Sequence, residues 1–168
     1  RDGPEAMALL ASQHFNIEVG LALRMDAWAG AQYWQGAVDE PLANLDTLLE
    51  RCEVAVVGID GGGLDDLFGL AVVGRCRTTR DWLLWSRAWA HQDVFRRRKD
   101  ISERLRDFVA EGTLTICEDP TQDIREVVAA IVRVRDAGLL PEKHAVGLDP
   151  VGVAQIIDAL DAVGISGE

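Results

Sequence analysis

Residues 56–73, VVGIDGGGLDDLFGLAVV, place three glycines and three aspartates between two apolar runs. The first run, residues 54–59, is apolar on both faces, which is typical of a central strand buried on two sides. The second run, residues 67–73, predicts another strand, and DWLLWSRAW at residues 81–89 predicts a third. Because short connections join the three, we expect an antiparallel meander.

In the rest of the chain the spacing of apolar residues changes, and it predicts helices that alternate with short strands. The resulting order, β-β-β-α-β-α-β-α, predicts an α/β domain with a mixed sheet flanked by helices. Residues 1–50 are interpreted as a helical or irregular lead-in, and residues 51–168 as the sheet domain. The later elements are a helix through residues 95–109, a strand at 114–117, a helix from Asp123 with a capping-box-like Glu126, a strand at 145–148 and a helix after Pro150.

Composition indicates a globular protein without a membrane span. Of the 168 residues, 48% are hydrophobic and 27% are charged, and no run approaches the ~18 apolar residues of a transmembrane helix. The chain begins at Arg1 without a signal peptide or an initiator Met, so we expect a piece of a longer protein. Three widely spaced cysteines in apolar runs predict reduced, buried thiols.

Charge is distributed unevenly along the chain. The net charge is −11, which opposes nonspecific binding to a polyanion, yet 10 of the 17 basic residues lie between Arg75 and Arg106. An acidic body with one basic strip can still hold a phosphate backbone along that strip. We expect contacts to the phosphates of such a backbone from the densest part of the strip, Arg96, Arg97, Arg98 and Lys99; the alternative is a solvated helix face.

Two aspartates follow apolar strands at their carboxyl ends. If the strands that precede Asp60 and Asp149 are parallel neighbours, both side chains emerge at one edge of the sheet, where open α/β sheets usually place their chemistry. Carboxylates that lie together repel each other unless a cation sits between them, and oxygen ligands suit Mg²⁺ or Mn²⁺. Either Asp65 or Asp66, on the glycine turn, can add a ligand. A helix cap for Asp149 and ordinary turn roles for Asp65 and Asp66 stay open.

The glycine turn also permits a phosphate-binding interpretation. A dinucleotide fold needs a helix after its glycines, whereas a strand follows here. A better rival is the actin-like and sugar-kinase ATPase group, whose phosphate loop lies between two antiparallel strands. The aspartates Asp65 and Asp66 would repel a nucleotide's phosphates unless a metal intervened, so the acidic turn favours metal.

Five stretches, in order along the chain, match the pattern of one known family. They are GIDGGGLDDLFGLAVVGR (58–75), WLLWSRAWAH (82–91), RRRKD (96–100), EGTLTI (111–116) and AVGLDPVGVAQIIDAL (145–160). Together they resemble the nuclease domain in the large subunit of tailed-phage terminases. HFNIEV at residues 14–19 resembles that family's segment between motor and nuclease.

The resemblance implies a ribonuclease H-like fold and a DNA endonuclease that uses two Mg²⁺ or Mn²⁺ ions to cut concatemeric DNA during packaging in the bacterial cytoplasm. It assigns Asp60 and Asp149 to the family's first and second metal-binding aspartates, and Asp66 to the acidic position of the next strand. It also implies double-stranded DNA, the terminase small subunit and the portal as partners, and an oligomeric motor.

Two departures from the family pattern limit what we expect of residues 1–168 alone. The chain has no GxxxxGK[ST] motif of a packaging ATPase, and the family's third aspartate would lie beyond Glu168, so the nuclease domain looks truncated. We therefore expect weak or absent nuclease activity. A catalytically silent module of the packaging motor remains an alternative, and a solvated or capping role is expected for His91.

Overall fold

The computed structural model describes residues 29–61, 66–149 and 154–166. The chain divides into two compact units, Arg1–Glu40 and Pro41–Glu168. Described residues of the first unit form short 3-10 helices at Ala31–Tyr33 and Gln35–Ala37, and a third, Glu40–Ala43, lies at the junction. The second unit begins before the sequence-based boundary at 50 and 51, because the helix that precedes the sheet belongs to it. The stretch at 14–19 lies outside the described residues.

The second unit is built on a mixed sheet of five strands, arranged β4-β3-β2-β1-β5. The first three strands form the expected antiparallel meander. β4 pairs with β3 and β5 pairs with β1, and both of these pairings are parallel. The antiparallel meander with a parallel strand at each edge is the mixed α/β sheet that the sequence predicts. The strands are β1 (Cys52–Gly61), β2 (Phe68–Cys76), β3 (Trp82–His91), β4 (Leu114–Cys117) and β5 (Val146–Leu148).

Helices lie in the predicted places with one correction. The single helix expected through residues 95–109 is wrong, because the chain forms two helices there. Arg98, which follows the first of them, leaves the helical region with φ −105° and ψ 59°. The described helices are α1 (Leu45–Arg51), α2 (Val94–Arg97), α3 (Ser102–Ala110), α4 (Gln122–Asp136) and α5 (Ala154–Ala162). None of the helices in the described part of the chain has the length and apolarity to cross a membrane.

The main core lies on one face of the sheet, which we call the core face. Alternate β1 residues point into it: Ala55, Val57 and Ile59 are buried, whereas Val56 between them is exposed. Apolar residues of α1, α4 and α5 pack against this face in one cluster. Helix α1 is held there by its apolar side, and Asn44 caps it by accepting a hydrogen bond from the backbone N–H of Asp46 at 2.9 Å.

The opposite face of the sheet, which we call the open face, is covered only in part. A second, smaller apolar cluster joins α2 and α3 to the β3–β4 side. Across the rest of this face, Val56 and Leu84 are exposed, and Trp82 keeps 70% of its surface in solvent. The sheet therefore presents one packed face and one accessible face, and the candidate site lies on the accessible one.

Candidate metal centre at the sheet edge

The parallel pairing of β1 and β5 determines where the two aspartates lie. Val57 pairs with Val146 and Ile59 with Leu148, which confirms that the two strands are parallel neighbours. Continuing this register by one residue places Asp60 opposite Asp149. Since adjacent strands lie about 4.8 Å apart, the two residues leave the sheet side by side at its carboxyl edge.

The pleat of the two strands also directs both aspartates to the same face. Ile59 is 6% exposed, and its partner Leu148 packs against the same core cluster. The next residue of each strand must point the other way, to the open face. Both Asp60 and Asp149 are accordingly exposed. Because both carboxylates are exposed, they can bind a hydrated cation between them, and no charge has to be buried in the protein.

The turn after β1 brings Asp66 close to this edge. Gly61 has φ +69°, and a Cβ there would lie 2.7 Å from the backbone oxygen of Leu67, so only glycine fits. The carboxylate of Asp66 accepts a hydrogen bond from the backbone N–H of Leu67 at 2.8 Å. Its other oxygen would lie 3.8 Å from the same added Cβ. Asp65 lies outside the described residues.

The carboxylates of Asp60 and Asp149 are the candidate metal ligands. Asp66 lies near this edge of the sheet but does not form a three-ligand group with them. Among the described residues, no three His, Cys, Asp or Glu side chains form a group able to hold a metal ion. The oxygen-only chemistry of Asp60 and Asp149 fits Mg²⁺ or Mn²⁺, which keep several waters in their coordination shells. The two carboxylates therefore fit a hard cation whose remaining ligands include water.

A cavity of about 550 Å³ opens on the same face beside Asp60. Its floor crosses three strands and consists of small residues, among them Gly58, Ala71 and Ser86, and Phe108 of α3 lines it as well. A Cβ added to Gly58 would meet nothing within 4 Å. Small side chains in the floor leave room next to the aspartates.

The four basic residues follow β3 at the same edge of the sheet. Because two antiparallel pairings separate β1 from β3, the carboxyl ends of these strands share that edge. Arg96 lies 3.0 Å and Arg97 3.7 Å from Asp93, and both remain substantially exposed. Arg98 lies 3.9 Å from Asp100. Exposed pairs of this kind contribute at most about 1 kcal/mol, so a phosphate can compete for these guanidinium groups.

The sequence pattern did not indicate a polar cluster at the ends of β3 and β4. His91 Nε2 lies 3.2 Å from a carboxylate oxygen of Asp123, which is only 8% exposed. Trp89 Nε1 donates to Glu126 at 2.6 Å. The capping box expected from Asp123 and Glu126 is therefore wrong, because Glu126 binds a side chain on β3 and the N-cap residue Thr121 makes no side-chain cap.

The environment of Glu126 favours its ionised form. Burial raises the pKa of its carboxyl, but hydrogen bonds from Trp89 and Gln122, together with the charges of Arg87 and Arg125, outweigh that effect and leave the pKa below its usual value. The spacing of Asp123 and Glu126 at the start of α4 was the available signal in the sequence. Nothing in the sequence showed that both would face β3.

No family model matches the chain, and no curated protein does either. Among solved structures it is similar to the large terminase of the HK97 bacteriophage. The similarity has a TM-score of 0.49 at 22% identity and covers 76% of this chain and 27% of that one. The neighbour belongs to the class of protein that the sequence motifs resemble. The chain spans about a quarter of its length.

Proposed function

We propose that this chain is the metal-dependent endonuclease domain of a phage or prophage terminase large subunit, which cuts concatemeric DNA during genome packaging. The observation that carries the proposal is the β1–β5 register, which brings Asp60 and Asp149 together on an accessible face. Those are the two positions that the motif resemblance assigns to metal. The basic residues at the same edge support a polyanionic substrate.

Each part of the site has a separate task in this proposal. Asp60 and Asp149 would hold Mg²⁺ or Mn²⁺, with Asp66 close enough to orient a coordinated water. Such ions, when bound, supply an activated water and stabilise charge on the leaving oxygen. The small-residue floor around Gly58 admits the DNA strand, and the basic residues hold its phosphates away from the acidic body of the protein.

The metal assignment predicts weak binding that depends on both aspartates. Asp60→Asn and Asp149→Asn nearly keep the side-chain shape but remove the charge, and each should weaken Mn²⁺ binding at least about tenfold. Calorimetric titration of the purified chain measures this directly. The matched control is Asp158→Asn, an exposed carboxylate on α5, which should leave the affinity unchanged. Equal affinity in all four proteins would exclude the site.

The DNA assignment predicts a change in salt dependence. Replacing Arg96, Arg97, Arg98 and Lys99 by alanine should weaken duplex binding across sequences. It should also lower the slope of log K against log salt by up to about 3–4, since each phosphate contact contributes about 0.9. The control converts the three arginines to lysine, which keeps the charge and should keep the slope. An unchanged slope in the alanine variant would contradict phosphate contacts and would support the alternative, that these residues form a solvated helix face.

A further inference from the structure

Cys52, at the start of β1, and Cys76, at the end of β2, face each other across the antiparallel pair. The backbone N–H of Arg77 donates to the carbonyl oxygen of Arg51 at 3.0 Å. A bond between these flanking residues marks the facing cysteines as a non-hydrogen-bonded pair, and in a regular ladder the Cα atoms of such a pair lie about 4.5 Å apart. The strand register shifts directly after this pair, between Cys52 and Val54. Disulfides span Cα separations of about 4.4–6.8 Å. The backbone therefore places the two cysteines within reach of a cross-strand disulfide.

Cys76 caps the turn that joins β2 to β3. Hydrogen bonding from Thr79 and Thr78 in this turn favours the thiolate and lowers the pKa of Cys76 to about 7, with Arg51 adding a smaller effect. The side chain is 5% exposed, which suits attack on a small reagent rather than a bulky one.

Cys52 lies in the opposite environment. It is fully buried at 0% exposure, and burial, followed by the neighbouring Cys76, raises the pKa of its thiol. Its Sγ lies over Gly74, where an added Cβ would approach it to 2.3 Å. The missing side chain of Gly74 leaves the space in which this sulfur sits. Cys52, a neutral thiol beside the Cys76 thiolate, is therefore positioned to act as a resolving cysteine, which attacks the oxidised sulfur of its neighbour.

We propose that Cys76 is an oxidation site for peroxides, and that Cys52 resolves the oxidised sulfur into a disulfide between β1 and β2. The Cys76 thiolate attacks hydrogen peroxide, the O–O bond breaks, and sulfenic acid and hydroxide form. The Cys52 sulfur then attacks the sulfenyl sulfur, an S–S bond forms, and hydroxide leaves with the Cys52 proton as water. The two thiols lose two electrons in all, and one peroxide is reduced to two waters.

The pair lies far from the candidate metal centre. Asp60 is opposite Gly69 on β2, and Cys76 follows seven residues later, or about 23 Å along an extended strand. The disulfide needs rotation of the Cys52 side chain away from Gly74, with no change of strand register. Its formation can therefore be tested independently of metal and DNA binding.

The test is peptide mapping by mass spectrometry after the reduced, folded chain is treated with hydrogen peroxide at pH 7. We expect a disulfide that joins residues 52 and 76, with a loss of about 2 Da and no sulfenic acid remaining. In Cys52→Ala, Cys76 should instead be trapped as a dimedone adduct. Circular dichroism of the variant checks that it is folded, and the mapping of the parent chain does not depend on any variant.

Cys117 supplies the internal control. It is buried beneath α4, and burial raises the pKa of its thiol to about 11. At pH 7, Cys76 should be oxidised at least about tenfold faster than Cys117, and Cys117→Ser should leave the 52–76 disulfide unchanged. Equal oxidation of the three cysteines, or oxidation of Cys76 to sulfinic acid without a disulfide in the folded parent, would overturn the proposal.

Discussion

Replacing Trp89 by alanine should lower the free energy of unfolding by about 3–5 kcal/mol, the range for truncating a buried tryptophan. Trp89 is 2% exposed and lies in the main core cluster. The substitution also removes the indole N–H that Glu126 accepts at 2.6 Å, leaving a part-buried carboxylate with one donor fewer. Urea denaturation followed by circular dichroism measures the change. Trp89→Phe, which keeps most of the volume but no N–H, should fall between alanine and the parent.

The same strand supplies the control for this prediction. Trp82 begins β3 and is 70% exposed on the open face, so Trp82→Ala should change stability by less than about 1 kcal/mol. Both variants remove a tryptophan from β3, so the difference between them reports the burial of Trp89 together with its hydrogen bond to Glu126. Equal losses of stability would contradict the division into a packed core face and an open face.

Much of the sheet could be predicted because its strands carry strong local signals. The apolar run before Asp60 and the aromatic run at residues 81–89 both form strands, and residues 114–117 match β4. The sequence could not show the break after α2, because the apolar period continues from Phe95 to Phe108. That break depends on the conformation of Arg98. Neither Arg98 nor the residues just before it have a strong preference for turns, so the local sequence does not indicate the break.

The candidate site was predictable in part for a similar reason. A charged residue directly after an apolar strand is costly unless it reaches solvent or a partner, and this indicated Asp60 and Asp149. Their adjacency depends on which strand pairs with β1, a long-range choice that local pattern does not determine. The contact between His91 and Asp123 depends on the packing of α4 against β3, which no local pattern in the sequence indicates.

Asp60→Asn should reduce metal-dependent nicking of supercoiled plasmid by at least about 100-fold, since loss of one electrostatic contact to the reacting phosphate typically costs 10²–10³ in rate. We expect the parent to cut only slowly with Mn²⁺, because two adjacent carboxylates with water hold a hard cation weakly. Incubation with excess protein and quantification of relaxed circles on a gel give both rates.

Controls separate this site from a contaminating nuclease. Asp149→Asn should lose cutting to a similar degree, and Asp158→Asn, purified in the same way, should cut at the parent rate. Cutting by Asp60→Asn at the parent rate would show that this carboxylate does not act in the reaction. A parent chain that binds Mn²⁺ but does not nick DNA would show that residues 1–168 hold the metal site without a complete nuclease.

The most direct test of the shared metal centre is paramagnetic broadening by Mn²⁺ in amide NMR spectra of the labelled chain. A bound Mn²⁺ ion broadens the signals of nearby amides, and its position can be read from which of them lose intensity first. We predict that residues 58–61 of β1 and residues 147–149 at the end of β5 lose intensity together at the lowest Mn²⁺ concentrations, and that Asp60→Asn abolishes the effect in both segments. Broadening that begins elsewhere, or that affects only one of the two segments, would contradict a site shared by Asp60 and Asp149.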